Sequence, residues 1–172
     1  LFQPSGYIDG GATSPVVLAS YAAAPDVSDL VAKLRGDDPN GRVMRLTDPD
    51  LKNAWGLTSG PATPWWVSDN GTNKSTLYNA AGVKQGLIVS VPGAPTGTVF
   101  NTTAGFILPT GGKALFLFDG EDGIVRAWNG AQGTTAIVVG DGDQSAAGAI
   151  YKGLAIATTP SGPELFAADF HN

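Results

Sequence analysis

A short apolar run closed by an aspartate occurs three times at one interval. Trp65-Trp66-Val67-Ser68-Asp69 is followed fifty residues later by Leu115-Phe116-Leu117-Phe118-Asp119, and fifty later again by Leu165-Phe166-Ala167-Ala168-Asp169. A fixed period of this length is the signature of a repeat architecture, in which one supersecondary unit stacks on the next. Within each period, runs rich in Val, Ile, Leu and aromatic residues alternate with Gly, Pro, Asn and Asp, the pattern of short strands and turns. No stretch beyond residue 50 carries a convincing helical period. The expectation is an all-β fold: a β-propeller fragment of about three four-stranded antiparallel blades.

The copies agree beyond the anchor. Tyr78-Asn79 returns as Trp128-Asn129, and Gly86-Leu87-Ile88-Val89-Ser90-Val91 as Ala136-Ile137-Val138-Val139-Gly140. Ahead of the anchor, Trp55-Gly56-Leu57 corresponds loosely to Gly105-Phe106-Ile107-Leu108, and Lys152-Gly153-Leu154 takes that part in the third unit. Blades are therefore expected at about 53–93, 101–142 and, incomplete, 150–172, with Pro92–Gly97 linking the first two. Residues 1–46 lie outside the repeat. In them, Val16–Tyr21 reads as a strand and Asp26–Arg35 as a short helix capped by Asp26 and ended by Gly36.

Two units and part of a third cannot close a ring, because propellers need about four to eight blades. A strand near the end of the third unit would have an unpaired edge. The expected partner is the remainder of the same propeller or a second copy of the chain. Ten Lys and Arg against fifteen Asp and Glu, a net charge of −5, form no basic stripe and exclude a nucleic-acid surface. No apolar run reaches the ~20 residues of a membrane span. The absence of cysteine removes disulfides and thiolate metal sites.

Asp48-Pro49-Asp50-Leu51-Lys52-Asn53-Ala54-Trp55-Gly56-Leu57, Trp66-Val67-Ser68-Asp69-Asn70-Gly71-Thr72, Tyr151-Lys152-Gly153-Leu154-Ala155 and Ala168-Asp169-Phe170-His171-Asn172 follow one another in an order that resembles an uncharacterised family of exported, mainly bacterial β-propeller proteins, similar in layout to NHL-repeat propellers. The resemblance covers roughly residues 47–172. It implies a six-bladed type of ring, of which this chain looks like the N-terminal half, and a secreted or extracytoplasmic location. It implies no activity and no catalytic residues.

Chemistry is sought at a few places. Asp69, Asp119 and Asp169 would either converge on one propeller face and hold a ligand or each cap the turn that follows; repetition in every unit favours capping. His171, the single histidine, would serve as a lone base beside Asp169 or bond to backbone, and backbone bonding is the commoner use. Asp119-Gly120-Glu121-Asp122-Gly123 is the densest acidic stretch, where weak calcium binding at Asp119, Glu121 and Asp122 competes with plain Asp-Gly turn chemistry. No cofactor is evident and no transition-metal site is expected. Trp55, Trp65, Trp66 and Trp128 would form a sugar-stacking platform or aromatic wedges between blades; Trp65 and Trp66, being adjacent on a strand, must face opposite ways. Asn70, Asn73 and Asn101 head Asn-x-Ser/Thr sequons, relevant to glycosylation in a eukaryotic source. The function these features favour is a non-enzymatic binding or scaffold module. Its rivals are a lactonase-like propeller hydrolase with a central calcium, disfavoured by the presence of only Glu121 and Glu164, and a structural surface or matrix protein.

Overall fold

The computed structural model describes residues 48–171. The strand expected at Val16–Tyr21 and the helix expected at Asp26–Arg35 lie outside the described residues. Ten strands follow in chain order: β1 Ala54–Thr58, β2 Trp65–Asp69, β3 Lys74–Tyr78, β4 Lys84–Ser90, β5 Pro95–Phe100, β6 Phe116–Gly120, β7 Ile124–Trp128, β8 Ile137–Asp143, β9 Tyr151–Thr159 and β10 Gly162–Asp169. They form antiparallel meanders, β1-β2-β3-β4 and β5-β6-β7-β8, and a third sheet of β9-β10. Among the described residues the only helical pieces are three short 3₁₀ turns. The described residues are therefore all-β with up-and-down sheets, as the strand-and-turn pattern requires.

The sheets stack in sequence order through their faces. Trp66 of β2 lies against Phe116 of β6, rings 4.0 Å apart and nearly parallel, with Trp128 of β7 at 4.8 Å. Leu77, Val89 and Phe118 complete this first core. The other face of the second sheet offers Val99, Leu117 and Ala127 to Leu154, Ile156 and Leu165 of the third. At the outer end, Ser90 N–H donates to the Thr134 carbonyl and Ala136 N–H to that of Ser90, tying β4 to the start of β8.

The second sheet departs from the expected units at its first strand. That strand is Pro95–Phe100, not Gly105–Leu108, and it overlaps the stretch read as a linker. Proline is tolerated at the first residue of a strand, so Pro95 opens β5 where turn chemistry alone suggested a loop. The long connection 101–115 that follows is held by buried Asn101, whose amide donates to the carbonyls of Gly105 and Ala114 and whose oxygen accepts from the N–H and hydroxyl of Thr103.

Register gives a second correction. Val67 pairs with Leu57, Phe118 with Thr98 and Ala167 with Leu154. Equivalent positions are thus Ser68, Asp119 and Ala168, followed by Asp69, Gly120 and Asp169. The β2–β3 connection is Asn70–Asn73, whereas β6–β7 needs only Glu121–Gly123. One residue fewer moves Asp119 back by one position, and because side chains alternate, it sits on the opposite face of its sheet from Asp69 and Asp169. The fifty-residue spacing of the aspartates marks equivalent strands and not equivalent side chains.

The two adjacent tryptophans test this architecture. Trp66 is buried, and Trp65 is 44% exposed. Trp66→Ala is expected to cost about 3–5 kcal/mol in urea unfolding and Trp65→Ala well under half of that. Equal losses would contradict the assignment of faces.

Candidate functional site

Each sheet begins with the same irregularity. The first strand has one extra residue between its first two pairings: at Trp55-Gly56 in β1, Thr96-Gly97 in β5 and Lys152-Gly153 in β9. These are β-bulges, which bend the strand and release backbone groups from the ladder. The three bulges meet along one open groove of about 290 Å³, lined by Trp55, Gly56, Leu57, Thr96, Gly97, Thr98, Lys152, Gly153 and Leu154. The strands approach at backbone distance. A Cβ at Gly56 would stand 2.6 Å from the Thr96 carbonyl, and one at Gly97 2.3 Å from Leu154 N. Only glycine fits at those two bulges. A Cβ at Gly153 would meet nothing within 4 Å.

Asp119 forms the floor behind this groove. It is 1% exposed. Its Oδ1 accepts from Gly97 N–H at 2.5 Å and lies 2.8 Å from the Thr96 hydroxyl, which is also 2.9 Å from the Tyr151 carbonyl. Burial pushes this carboxyl up, and the Thr96 hydroxyl and the N–H groups of Gly97 and Gly153 pull against the rise. Asp119 thus fixes the bulge of β5 and, through Thr96, the start of β9.

Above the floor a polar chain crosses the three sheets. Asn70 from the β2–β3 turn donates to Glu121 Oε1 at 3.2 Å, and Lys152 reaches the same oxygen at 2.5 Å. The Lys152 hydrogen bond holds the Glu121 carboxyl below its usual range. The same ammonium lies 5.1 Å from the centre of the Trp55 ring, a cation–π contact. Trp55 nevertheless stays 45% exposed and Leu57 60%.

The residues singled out from sequence do not share one site. Glu121 adjoins the groove through its pair with Lys152, Asp119 lies behind the Thr96-Gly97 bulge, and Asp122 turns away to a bidentate pair with Arg126. The three carboxylates proposed for calcium are thus engaged by three different partners, and among the described residues no group of three His, Asp or Glu side chains could hold a metal. Asp169 caps as expected of an Asx turn, accepting the N–H groups of His171 and Ile150. His171 is exposed, beside Gly148. Of the tryptophans, Trp66 and Trp128 are core wedges and Trp55 alone reaches the groove. Among the sequons, Asn101 is buried with its amide nitrogen occupied, Asn70 is engaged with Ala94 and Glu121, and Asn73 is exposed. Asn73 is therefore the residue at which a glycan could be added to the folded chain.

Asp69 is neither cap nor ligand. It is fully buried, and its two carboxylate oxygens lack a hydrogen-bond partner. It borders a charged group missed by the sequence reading: Asp48 accepts from Tyr78 at 2.6 Å and Lys84 at 2.7 Å, and Asp50 from Lys74 at 2.5 Å and Lys84 at 2.7 Å. Burial would raise Asp48, but the Lys84 and Tyr78 bonds overcome it and hold that carboxyl below its ordinary value. Asp69 has no such compensation. Burial lifts it to about 6, the charges of Asp48 and Asp50 add to the rise, and the neighbouring Thr76 hydroxyl and N–H oppose it without bonding geometry.

A folded-state value above the unfolded one means that the native state binds the extra proton. Stability contributed through Asp69 therefore falls as pH rises from about 4 to about 6 and stays lower above that. Asp69→Asn is expected to raise stability by about 1–3 kcal/mol at neutral pH and to leave it unchanged below about pH 4. Urea unfolding across that range checks this, and a pH-independent difference would contradict it.

No family model, curated protein or solved structure matches the chain. No helix among the described residues is long and apolar enough to cross a membrane.

Proposed function

We propose that the chain is part of a β-propeller of NHL-like layout that works outside the cytoplasm as a non-enzymatic binding or scaffold module, with its ligand in the groove between β1, β5 and β9. One observation carries this reading. Three successive sheets place a bulged x-Gly of their first strand at one groove, as strands converging on a propeller axis would, and ligands favour such concave junctions.

The same reading assigns a partner to the other end. Phe166, at the register position where Trp66 and Leu117 are buried, is 52% exposed, and among the described residues β10 pairs only with β9. The remainder of the ring, or a second copy, would cover that face and edge.

The groove can be blocked without touching the core, because Gly153 has open space in front of it. Ligand-observed NMR with a library of small polar metabolites should find binders to the wild type that Gly153→Phe loses at unchanged melting temperature. Binders that survive the substitution, or a library in which no compound distinguishes the two proteins, would contradict the assignment.

A further inference from the structure

We infer that the groove takes a neutral carbohydrate, one pyranose ring stacked on Trp55 with its hydroxyl rim at the Lys152–Glu121 pair; this rests on the groove being the ligand site.

Charge decides between ligand classes first. Lys152 and Glu121 neutralise one another at 2.5 Å. The remaining carboxylate, Asp119, is sealed behind the bulges with 1% exposure. An anion would have to compete with Glu121 for the ammonium, and a cation would have to compete with that ammonium for Glu121, the one carboxylate beside the groove that is open to solvent. A neutral ligand leaves the pair intact and uses it. Lys152 offers a donor and Glu121 an acceptor at adjacent points, which suits neighbouring hydroxyl groups.

Apolar surface decides next. Trp55 and Leu57 are open to solvent at the groove although the fold buries Trp66, Leu77 and Trp128 completely or nearly so. An exposed indole beside polar groups matches ligands that are apolar on one face and polar at the rim, and the C–H face of a pyranose is such a surface. Lys152 over the ring holds the indole in place, so little side-chain freedom remains to be lost on binding. Gly153, which leaves open space where a side chain would stand, keeps the third bulge low enough for a flat ring to approach.

Saturation-transfer NMR on the full chain tests this with D-glucose, D-galactose, D-mannose, N-acetyl-D-glucosamine and cellobiose as probes, and tetramethylammonium and inorganic phosphate as charged controls. The expected result is transfer to the C–H protons of at least one sugar, lost in Trp55→Ala and weakened at least severalfold in Lys152→Met and Glu121→Gln. Unchanged melting temperatures would show that the variants fold. Sugar binding that persists in Trp55→Ala overturns the inference. If only phosphate or tetramethylammonium binds, and Gly153→Phe abolishes it, the carbohydrate class is wrong and the groove remains the site. If no probe binds, the carbohydrate inference falls, and the assignment of the groove then stands or falls with the metabolite library.

Discussion

The backbone contact between successive first strands is the constraint on which the rest depends. β1 meets β5 at Gly56 and β5 meets β9 at Gly97, at distances no side chain permits. This contact sets the spacing of the sheets at their inner ends. The aromatic layer of Trp66, Phe116 and Trp128 then fills the space where they diverge. Small residues at the first strands and large ones further along make the space between the first two sheets a wedge. The bulges bend each first strand so that its neighbour can come this close.

The same contact creates the groove. Bulging exposes Trp55 and Lys152 at equivalent positions of the first and third sheets, and the second sheet places Thr96 between them. Thr96 is drawn inward by Asp119 and the Tyr151 carbonyl, so the middle of the groove stays low while its two sides rise. A structural latch and an open, charge-balanced recess thus follow from one irregularity used three times with different residues.

Much of this was legible from the sequence and some was not. The second strands, the Tyr78-Asn79 and Trp128-Asn129 turns, and the opposite facing of Trp65 and Trp66 follow from period and alternation. The first strand of the second sheet was hidden because Pro95 and Gly97 read as turn residues, and because the Asn101-stapled connection shifts everything upstream of β6. The aspartates misled for a related reason: a hairpin shorter by one residue puts Asp119 on the other face from Asp69. The groove itself had one available signal, the recurrence of a residue-glycine pair at Trp55-Gly56, Thr96-Gly97 and Lys152-Gly153, but the unequal connections place these at no fixed interval. The charged group of Asp48, Asp50, Lys74, Lys84 and Tyr78 joins residues far apart in the chain, and no local pattern announces it.

The most direct test of the account is the stability of Gly97→Ala measured beside Gly86→Ala. At Gly97 the new methyl would lie 2.3 Å from Leu154 N and 2.8 Å from Asp119 Oδ1, whereas at Gly86 it would meet nothing within 4 Å. If the close approach of the first strands holds the sheets together, Gly97→Ala costs at least about 2 kcal/mol in urea unfolding. Gly86→Ala is then neutral or stabilising by up to about 1 kcal/mol. A Gly97→Ala protein as stable as the wild type would contradict the account.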